Sequence, residues 1–126
     1  MEKSFTLLEF VFAIIIIIAF IAVLLTFIHK AAINAKEVAL QVELKNLRLS
    51  LDLYKAINEH YPEDLRLLIQ AKYKMKSSEE FLFGEKFLET VGRDEQGYPL
   101  DPFGNRFFYD SRRGVINSQT KGYEQW

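Results

Sequence analysis

The stretch FTLLEFVFAIIIIIAFIAVLLTFI, residues Phe5 to Ile28, decides the fold of this chain. From Phe10 to Ile28 it contains no charged residue, and almost every side chain is large and apolar. These 19 residues, rising ~1.5 Å each in a helix, span ~29 Å, close to the hydrocarbon thickness of a bilayer. Because lipid offers the backbone no hydrogen bonds, a single spanning segment has to be a helix. We therefore predict a transmembrane helix over residues 5–28.

Glu9 is the anomaly of this apolar run, because apolar residues both precede and follow it. A carboxylate in the middle of a bilayer costs ~2.5–3.5 kcal/mol on insertion scales, so Glu9 is expected to have a partner. An uncleaved signal anchor explains the apolar run equally well, but it does not explain Glu9. A cleaved secretory signal fits less well, since the run is longer than an ordinary signal core and no small-residue cleavage site follows it.

The segment SFTLLEF, Ser4 to Phe10, resembles the processing site of type IV prepilins and pseudopilins. The resemblance implies that residues 1–4 form a leader, which prepilin peptidase removes by cleavage between Ser4 and Phe5. It also implies N-methylation of Phe5 and a role for Glu9 in guiding assembly. Ser4 stands where the family nearly always has Gly. Basic residues flank both ends of the apolar run, so the positive-inside rule gives no orientation, and a cytoplasmic N-terminus follows from the resemblance.

Length and composition bound what the remaining chain can do. The 126 residues allow one modest domain beyond the membrane segment. The formal net charge is −1, so no basic excess favours nucleic acid binding. The absence of Cys excludes disulfides and thiolate metal sites. His29 and His60 lie near no nucleophile or metal-ligand cluster in sequence, and no phosphate-binding Gly loop is present. We predict no catalytic residue and no enzyme activity.

Residues 29–61 form the predicted second half of the same helix, since residues 31–60 contain neither Pro nor Gly. We expect the helix to end at Tyr61-Pro62, because Pro disfavours a helical conformation in the preceding residue. The first stripe of apolar residues follows one helical face and comprises Ile33, Leu40, Leu44, Leu47, Leu51 and Tyr54. The second stripe comprises Val38, Val42, Leu49, Leu53 and Ile57. Charged side chains, Glu43 among them, are expected to fill the remaining arc.

Two apolar stripes on one long helix require two sets of partners. One stripe is expected to pack on the globular part of the same chain, which leaves the other free for neighbouring subunits. The alternative is that both stripes are covered by the head, residues 62–126. The helix is too long for so small a domain to cover entirely, which favours the first arrangement.

The first part of the head mixes helix, strand and loop signals. Pro62 to Ala71 is predicted to be a short helix with Leu65, Leu68 and Ile69 on its inner face. Lys72 to Lys76 alternates charged and apolar residues, as an edge strand or an exposed loop would. A capping-box spacing at Ser77 and Glu80 predicts a further helix, with Phe81, Leu82, Phe87, Leu88 and Val91 facing inward. Residues 92–98 are polar with two glycines and are predicted to be a loop, in which Asp94 and Glu95 are solvated.

The stretch DPFGNRFFY, Asp101 to Tyr109, carries the strongest local signal of the head. Asp101, Pro102 and Gly104 match a type I turn position by position, and Asp101 can accept hydrogen bonds from backbone amides ahead of it. Strands at 106–109 and 114–117, joined by a turn at 110–113, predict a hairpin, with a third strand at 122–126. The predicted fold is therefore α+β, a long N-terminal helix packed on a small head of short helices and an antiparallel sheet.

Two further segments are similar to the major pseudopilins of type II secretion systems. LDLYKAINEHYP, residues 51–62, resembles the end of their long helix, and DPFGN, Asp101 to Asn105, resembles their Asp-Pro-Trp-Gly-Asn signature. Members of that family end in a calcium-binding loop rich in Asp and Gly. Residues 111–126 hold one acid, Glu124, so we predict no strong calcium site and keep a weak one near Asp110 and Glu124 as a minor hypothesis.

The resemblance implies a structural subunit of the bacterial inner membrane that polymerises into a periplasmic pseudopilus filament. Implied partners are prepilin peptidase, an inner-membrane assembly platform, minor pseudopilins, other copies of the chain, and lipid before assembly. No cofactor or nucleic acid is expected. Two alternatives remain open, a pilin of an adhesive, motile or DNA-uptake pilus, and a single-pass anchored adaptor that never polymerises.

Overall fold

The computed structural model describes residues 6–74, 80–82, 88 and 91–126. The chain divides into two units, Met1–Ala35 and Lys36–Trp126. A long N-terminal apolar helix is followed by a short helix and, within the described residues, by three antiparallel strand pairs. The mixed α+β class predicted from the sequence is confirmed at this level.

Helix α1 runs from Leu7 to Asn58, a length of 52 residues. The prediction of one continuous helix through both halves is confirmed, because no Pro or Gly interrupts it. The helix ends slightly earlier than predicted. Glu59 adopts the left-handed conformation with φ 66°, so the helix stops before Tyr61-Pro62 is reached. Near the end, the Asn58 side chain donates to the Tyr54 carbonyl at 3.0 Å.

Helix α2 spans Leu65–Gln70 and is shorter than predicted at its N-terminal end. Asp64 is its N-cap and accepts a hydrogen bond from the Arg66 backbone N–H at 2.9 Å. This cap places the helix start after Pro62, which therefore lies outside the first turn. The predicted inner face is confirmed, since its three apolar residues, Leu65, Leu68 and Ile69, are buried.

Strands β1 (Lys72–Lys74) and β2 (Glu80–Leu82) pair antiparallel, with Tyr73 opposite Phe81. Of the two interpretations of Lys72 to Lys76, the strand is confirmed at 72–74, while residues 75 and 76 lie outside the described residues. The predicted helix is wrong at 80–82. The register also places Lys74 opposite Glu80. Within the predicted helix, Ser77 and Phe87 lie outside the described residues, whereas Leu88 and Val91 are buried as expected.

Strands β3 (Gly92–Arg93) and β4 (Pro99–Leu100) form a hairpin where a plain loop was predicted. Asp94 closes its turn by accepting from the backbone N–H groups of Gln96 and Tyr98, both at 2.9 Å. Asp94 is therefore not the freely solvated side chain expected from the sequence. A turn closed by an Asp side chain brings the flanking residues into register without extended apolar strands.

The third pair, β5 (Phe108–Asp110) and β6 (Val115–Asn117), confirms the predicted C-terminal hairpin. Its strands begin later than predicted, since Arg106 makes only an isolated bridge to Leu100. The third strand expected at 122–126 is wrong. Two successive turns occupy this segment, closed by Tyr123 N–H donating to Thr120 O at 2.9 Å and by Trp126 N–H donating to Tyr123 O at 3.0 Å.

One hydrophobic core joins α1 to the head within the second unit. It includes four leucines of the first stripe together with residues of α2, of the segment after it and of the third hairpin. The core comprises Leu40, Leu44, Leu47, Leu51, Leu65, Leu68, Ile69, Leu88, Val91, Phe107 and Ile116. Burial of this kind contributes ~25 cal/mol per Å² of apolar area and holds the head on the helix.

Candidate assembly site

The N-terminus of α1 forms a capping box that the sequence interpretation missed. Glu9 Oε2 accepts from the Thr6 backbone N–H at 3.0 Å and from Thr6 Oγ1 at 3.2 Å. In return, Glu9 N–H donates to Thr6 Oγ1 at 3.4 Å. Thr6-x-x-Glu9 is the reciprocal pattern that satisfies free amides at a helix start, and its spacing was readable from the sequence. In the single chain Glu9 is exposed, and its hydrogen-bond partner is Thr6.

The first unit presents its apolar side chains outward along α1. The described part of the chain contains one helix, α1, that is long and apolar enough to cross a membrane, and none of its most apolar window is buried within the chain. The assignment of α1 as a candidate membrane span rests on the length and the composition of the helix alone. At the far end of the apolar run, Thr26 Oγ1 donates to the Val23 carbonyl at 2.6 Å. This bond satisfies the hydroxyl within the helix, as a polar group in an apolar environment requires.

In the second unit, α1 has two opposite apolar faces. At ~100° per residue, positions two apart point ~200° away from each other, so Val42 and Leu44 lie on opposite sides of the helix. The leucines of the first stripe are buried against the head, as in Leu44 with 2% exposure. The second stripe faces away, with exposures of 61% at Val38, 49% at Val42, 47% at Leu49 and 51% at Ile57. Leu53 alone of this stripe packs partly against the core.

This exposure decides between the two arrangements considered from the sequence. The head covers the four leucines of the first stripe, and it leaves four of the five residues of the second stripe accessible. The alternative in which both stripes are covered by the head is therefore wrong. An apolar row of this length on a soluble surface is typical of a face that contacts another protein.

Asp101 anchors the predicted turn. Gly104 N–H donates to the Asp101 carbonyl at 2.9 Å, and Gly104 has φ 88°, a conformation that suits glycine. The Asp101 side chain accepts from the backbone N–H groups of Phe103 at 3.0 Å and Asn105 at 2.9 Å. It also accepts from the hydroxyls of Ser118 and Thr120, which connects the turn to the C-terminal segment. Pro102 occupies the second turn position, as the sequence pattern requires.

An aromatic cluster near the C-terminus contacts α1. The Tyr123 hydroxyl donates to Glu37 of α1, and this bond raises the pKa of Tyr123 above its ordinary value. The Tyr123 ring stacks on Phe103 at 5.2 Å between centroids and meets Trp126 edge-on at 4.9 Å. Lys36 lies 5.6 Å above the Phe103 ring. No sequence signal pairs residues 86 positions apart, so this cluster was not predicted.

Glu43 lies on the buried face of α1, although the sequence pattern placed it in the solvated arc. It is 7% exposed, and its Oε2 is buried without a hydrogen-bond partner among the described residues. Its neighbours three and four positions away include Leu40 and Leu47 of the first stripe, which explains why it is carried into the core. Burial, followed by repulsion from Asp101, raises the pKa of Glu43 from 4.5 to about 7.

The carboxylates of the minor calcium hypothesis are engaged in separate local turns. Asp110 accepts from the backbone N–H of Arg112 at 3.0 Å and from Arg113 Nε at 2.8 Å. The bond from Arg113 lowers the pKa of Asp110 below its ordinary value. Glu124 accepts from the Gly122 N–H at 2.8 Å. Across the described residues, no group of three or more His, Asp or Glu side chains is placed to hold a metal ion.

The remaining predicted site residues, Ser4 and Phe5, lie outside the described residues. Comparison of the chain with protein-family models, with curated proteins and with solved structures found no match. The pilin-like assignment therefore stays a prediction that rests on residues and motifs of this chain.

Proposed function

We propose that this chain is a type IV pilin-like subunit, closest to the major pseudopilin of a type II secretion system. In this proposal the mature chain polymerises through α1 into a helical filament, and the head forms the filament surface. The observation that supports it most is the second stripe, an apolar face of α1 turned away from the chain's own head. A single subunit leaves this face in water, whereas packing against neighbouring subunits would bury it.

The proposed sequence of events starts in the bacterial inner membrane, with the N-terminus in the cytoplasm and the head in the periplasm. Prepilin peptidase cleaves between Ser4 and Phe5 and methylates Phe5. Glu9 then pairs with the positive α-amino group of Phe5 on an adjacent subunit. Thr6 gives Glu9 hydrogen bonds but no positive charge, so an amine adds an interaction that the capping box cannot supply. Removing one partner of a buried charge pair typically costs ~3–5 kcal/mol.

In this proposal an inner-membrane assembly platform extracts the apolar segment from lipid, and minor pseudopilins complete the filament. The chemistry asked of the chain itself is association, since no nucleophile, cofactor or metal is assigned to it. An anchored adaptor that never polymerises would use the same helix as its membrane anchor. It would leave the second stripe without another copy of the chain to contact.

Cysteine cross-linking tests whether copies associate through the second stripe. The natural chain contains no Cys, so each introduced thiol is unique. We expect Val42→Cys to give disulfide-linked dimers in native membranes after mild oxidation. Gln41→Cys is the matched control, because position 41 is also exposed and lies ~100° around the helix from Val42. Equal cross-linking at both positions, or none at either, would favour the non-polymerising adaptor.

Two N-terminal variants separate the charge of Glu9 from its capping role. Glu9→Gln keeps an acceptor for Thr6, because Gln serves in a capping box as Glu does, but it removes the charge. Thr6→Ala removes the hydroxyl of the capping box and keeps the carboxylate. We expect Glu9→Gln to insert normally and fail to enter filaments, while Thr6→Ala still assembles. Wild-type assembly by Glu9→Gln would remove the role proposed for this residue.

A further inference from the structure

Glu43 and Asp101 are both buried carboxyl groups, with 7% and 4% exposure, yet their surroundings differ. Asp101 accepts four hydrogen bonds, two from backbone amides and two from the hydroxyls of Ser118 and Thr120. Glu43 Oε2 has no donor among the described residues. Donors stabilise the ionised form of a carboxyl group, and burial without them destabilises it.

The two groups therefore differ in the donors that their surroundings supply. Burial without a donor favours the neutral form of Glu43, because ionising it would place an uncompensated negative charge in a buried region. Along α1, the residues three and four positions from Glu43 are Ala39, Leu40, Asn46 and Leu47, none of which is charged. From the head, Asp101 is the described charged group that acts on Glu43.

Asp101 also determines where the C-terminal segment lies. Its bonds to Ser118 and Thr120 hold the start of that segment, and Tyr123 fixes the end through Glu37 on α1. Repulsion between Glu43 and Asp101 therefore acts on the residue that holds the start of this segment.

We propose that Glu43 is a proton-operated switch, which holds the C-terminal segment on α1 when it is protonated and loosens it when it ionises. Ionisation places Glu43 and Asp101 in like-charge repulsion and draws water toward the unpartnered carboxylate. Both effects favour separation of the Asp101 turn from the helix. The switch concerns how the head closes on its own helix, and it holds whether or not the chain polymerises.

The direction of the pH effect follows from the raised pKa. The folded value is about 7 against an ordinary 4.5, so the folded state binds more protons than the unfolded state between these values. Stability from this group is present at low pH and is lost as the pH rises toward 7. Between pH 5 and pH 8 the unfolding equilibrium constant should rise roughly 70-fold on account of Glu43 alone.

Denaturation of the full chain in detergent micelles measures this titration. Trp126 is the single Trp, so its fluorescence reports unfolding of the head in urea. The readout is the ratio of unfolding constants of wild type and Glu43→Gln, because other titrating groups cancel in it. We expect this ratio to rise by roughly 70-fold from pH 5 to pH 8. The ratio of wild type to Glu95→Gln, an exposed loop glutamate, should stay constant.

A second readout tests the coupling to the C-terminal segment in the folded protein. Acrylamide should quench Trp126 more strongly at pH 8 than at pH 5 in wild type, and equally at both in Glu43→Gln. Glu43→Leu, which fills the site with an apolar side chain, serves if the Gln variant does not fold. If the ratio of the unfolding constants of wild type and Glu43→Gln changes less than about threefold between pH 5 and pH 8, Glu43 does not titrate as proposed. A quenching difference that persists in both variants overturns its coupling to the C-terminal segment.

Discussion

Replacing Asp101 with Ala tests whether one buried carboxylate holds the turn and the C-terminal segment together. The substitution removes the acceptor of four hydrogen bonds, two of them from buried hydroxyls and two from partly buried backbone amides. A hydrogen bond to a charged group contributes ~1.5–3 kcal/mol, and a partly solvated one contributes less. We take ~1.5 kcal/mol for each of the hydroxyl bonds and ~0.5 kcal/mol for each of the amide bonds.

These contributions sum to about 4 kcal/mol. Loss of the Asp101 charge also relieves its repulsion on Glu43, which offsets part of this cost. The expectation at pH 7 is therefore a loss of at most about 4 kcal/mol in the free energy of unfolding, which corresponds to roughly 900-fold in the equilibrium constant. The measurement is urea denaturation of the full chain in micelles, followed by Trp126 fluorescence.

Asp110→Ala is the matched control for this experiment. Asp110 also caps a turn and accepts from Arg112 and Arg113, but its bonds are exposed to solvent. Its removal should cost clearly less stability than removal of Asp101, because exposed ion pairs and hydrogen bonds contribute little. If Asp101→Ala costs no more than Asp110→Ala, the buried network is not what stabilises the head, and the reasoning is wrong.

Two further pairs of variants probe packing with the same denaturation assay. Leu47→Ala should cost ~2–5 kcal/mol because Leu47 is 0% exposed, while Leu49→Ala, at 47% exposure, should change stability by less than ~0.5 kcal/mol; equal losses would contradict the assignment of the two stripes. Gly114→Ala should destabilise the protein more than Gly104→Ala. Both glycines have positive φ, but a Cβ at position 114 would lie 2.2 Å from Tyr61 Cζ, whereas a Cβ at position 104 would have no such atom within 4 Å. Equal destabilisation by the two glycine variants would mean that the Tyr61 ring moves aside for the new Cβ, and it would contradict this prediction.

The parts of the fold that the sequence predicted correctly are those in which local chemistry is decisive. Helix α1 follows from an uninterrupted run without Pro or Gly, and the Asp101 turn follows from Asp, Pro and Gly at the right positions. The sequence also predicted that one of the two apolar stripes stays free, because a small head cannot cover both sides of so long a helix. In each case the decisive residues are neighbours along the chain.

The parts that were missed depend on partners distant in sequence or on competing local signals. Glu80–Leu82 carries a helix-start spacing but forms a strand because β1 pairs with it. Glu43 sits at the edge of the buried face, where periodicity alone does not separate core from solvent. Tyr123 reaches Glu37 only once the chain has folded back. The spacing of Thr6 and Glu9 also fits a capping box, but an acid inside an apolar run equally fits a role for its charge, and only the second was predicted.

The central claim is that the chain is processed and assembled as a pilin-like subunit. Its most direct test is the intact mass and N-terminal sequence of the protein extracted from the membranes of its native host. We expect a chain that begins at Phe5 with a methylated α-amino group. A chain that still begins at Met1 would contradict it, and Glu9 would then act only as the capping partner of Thr6.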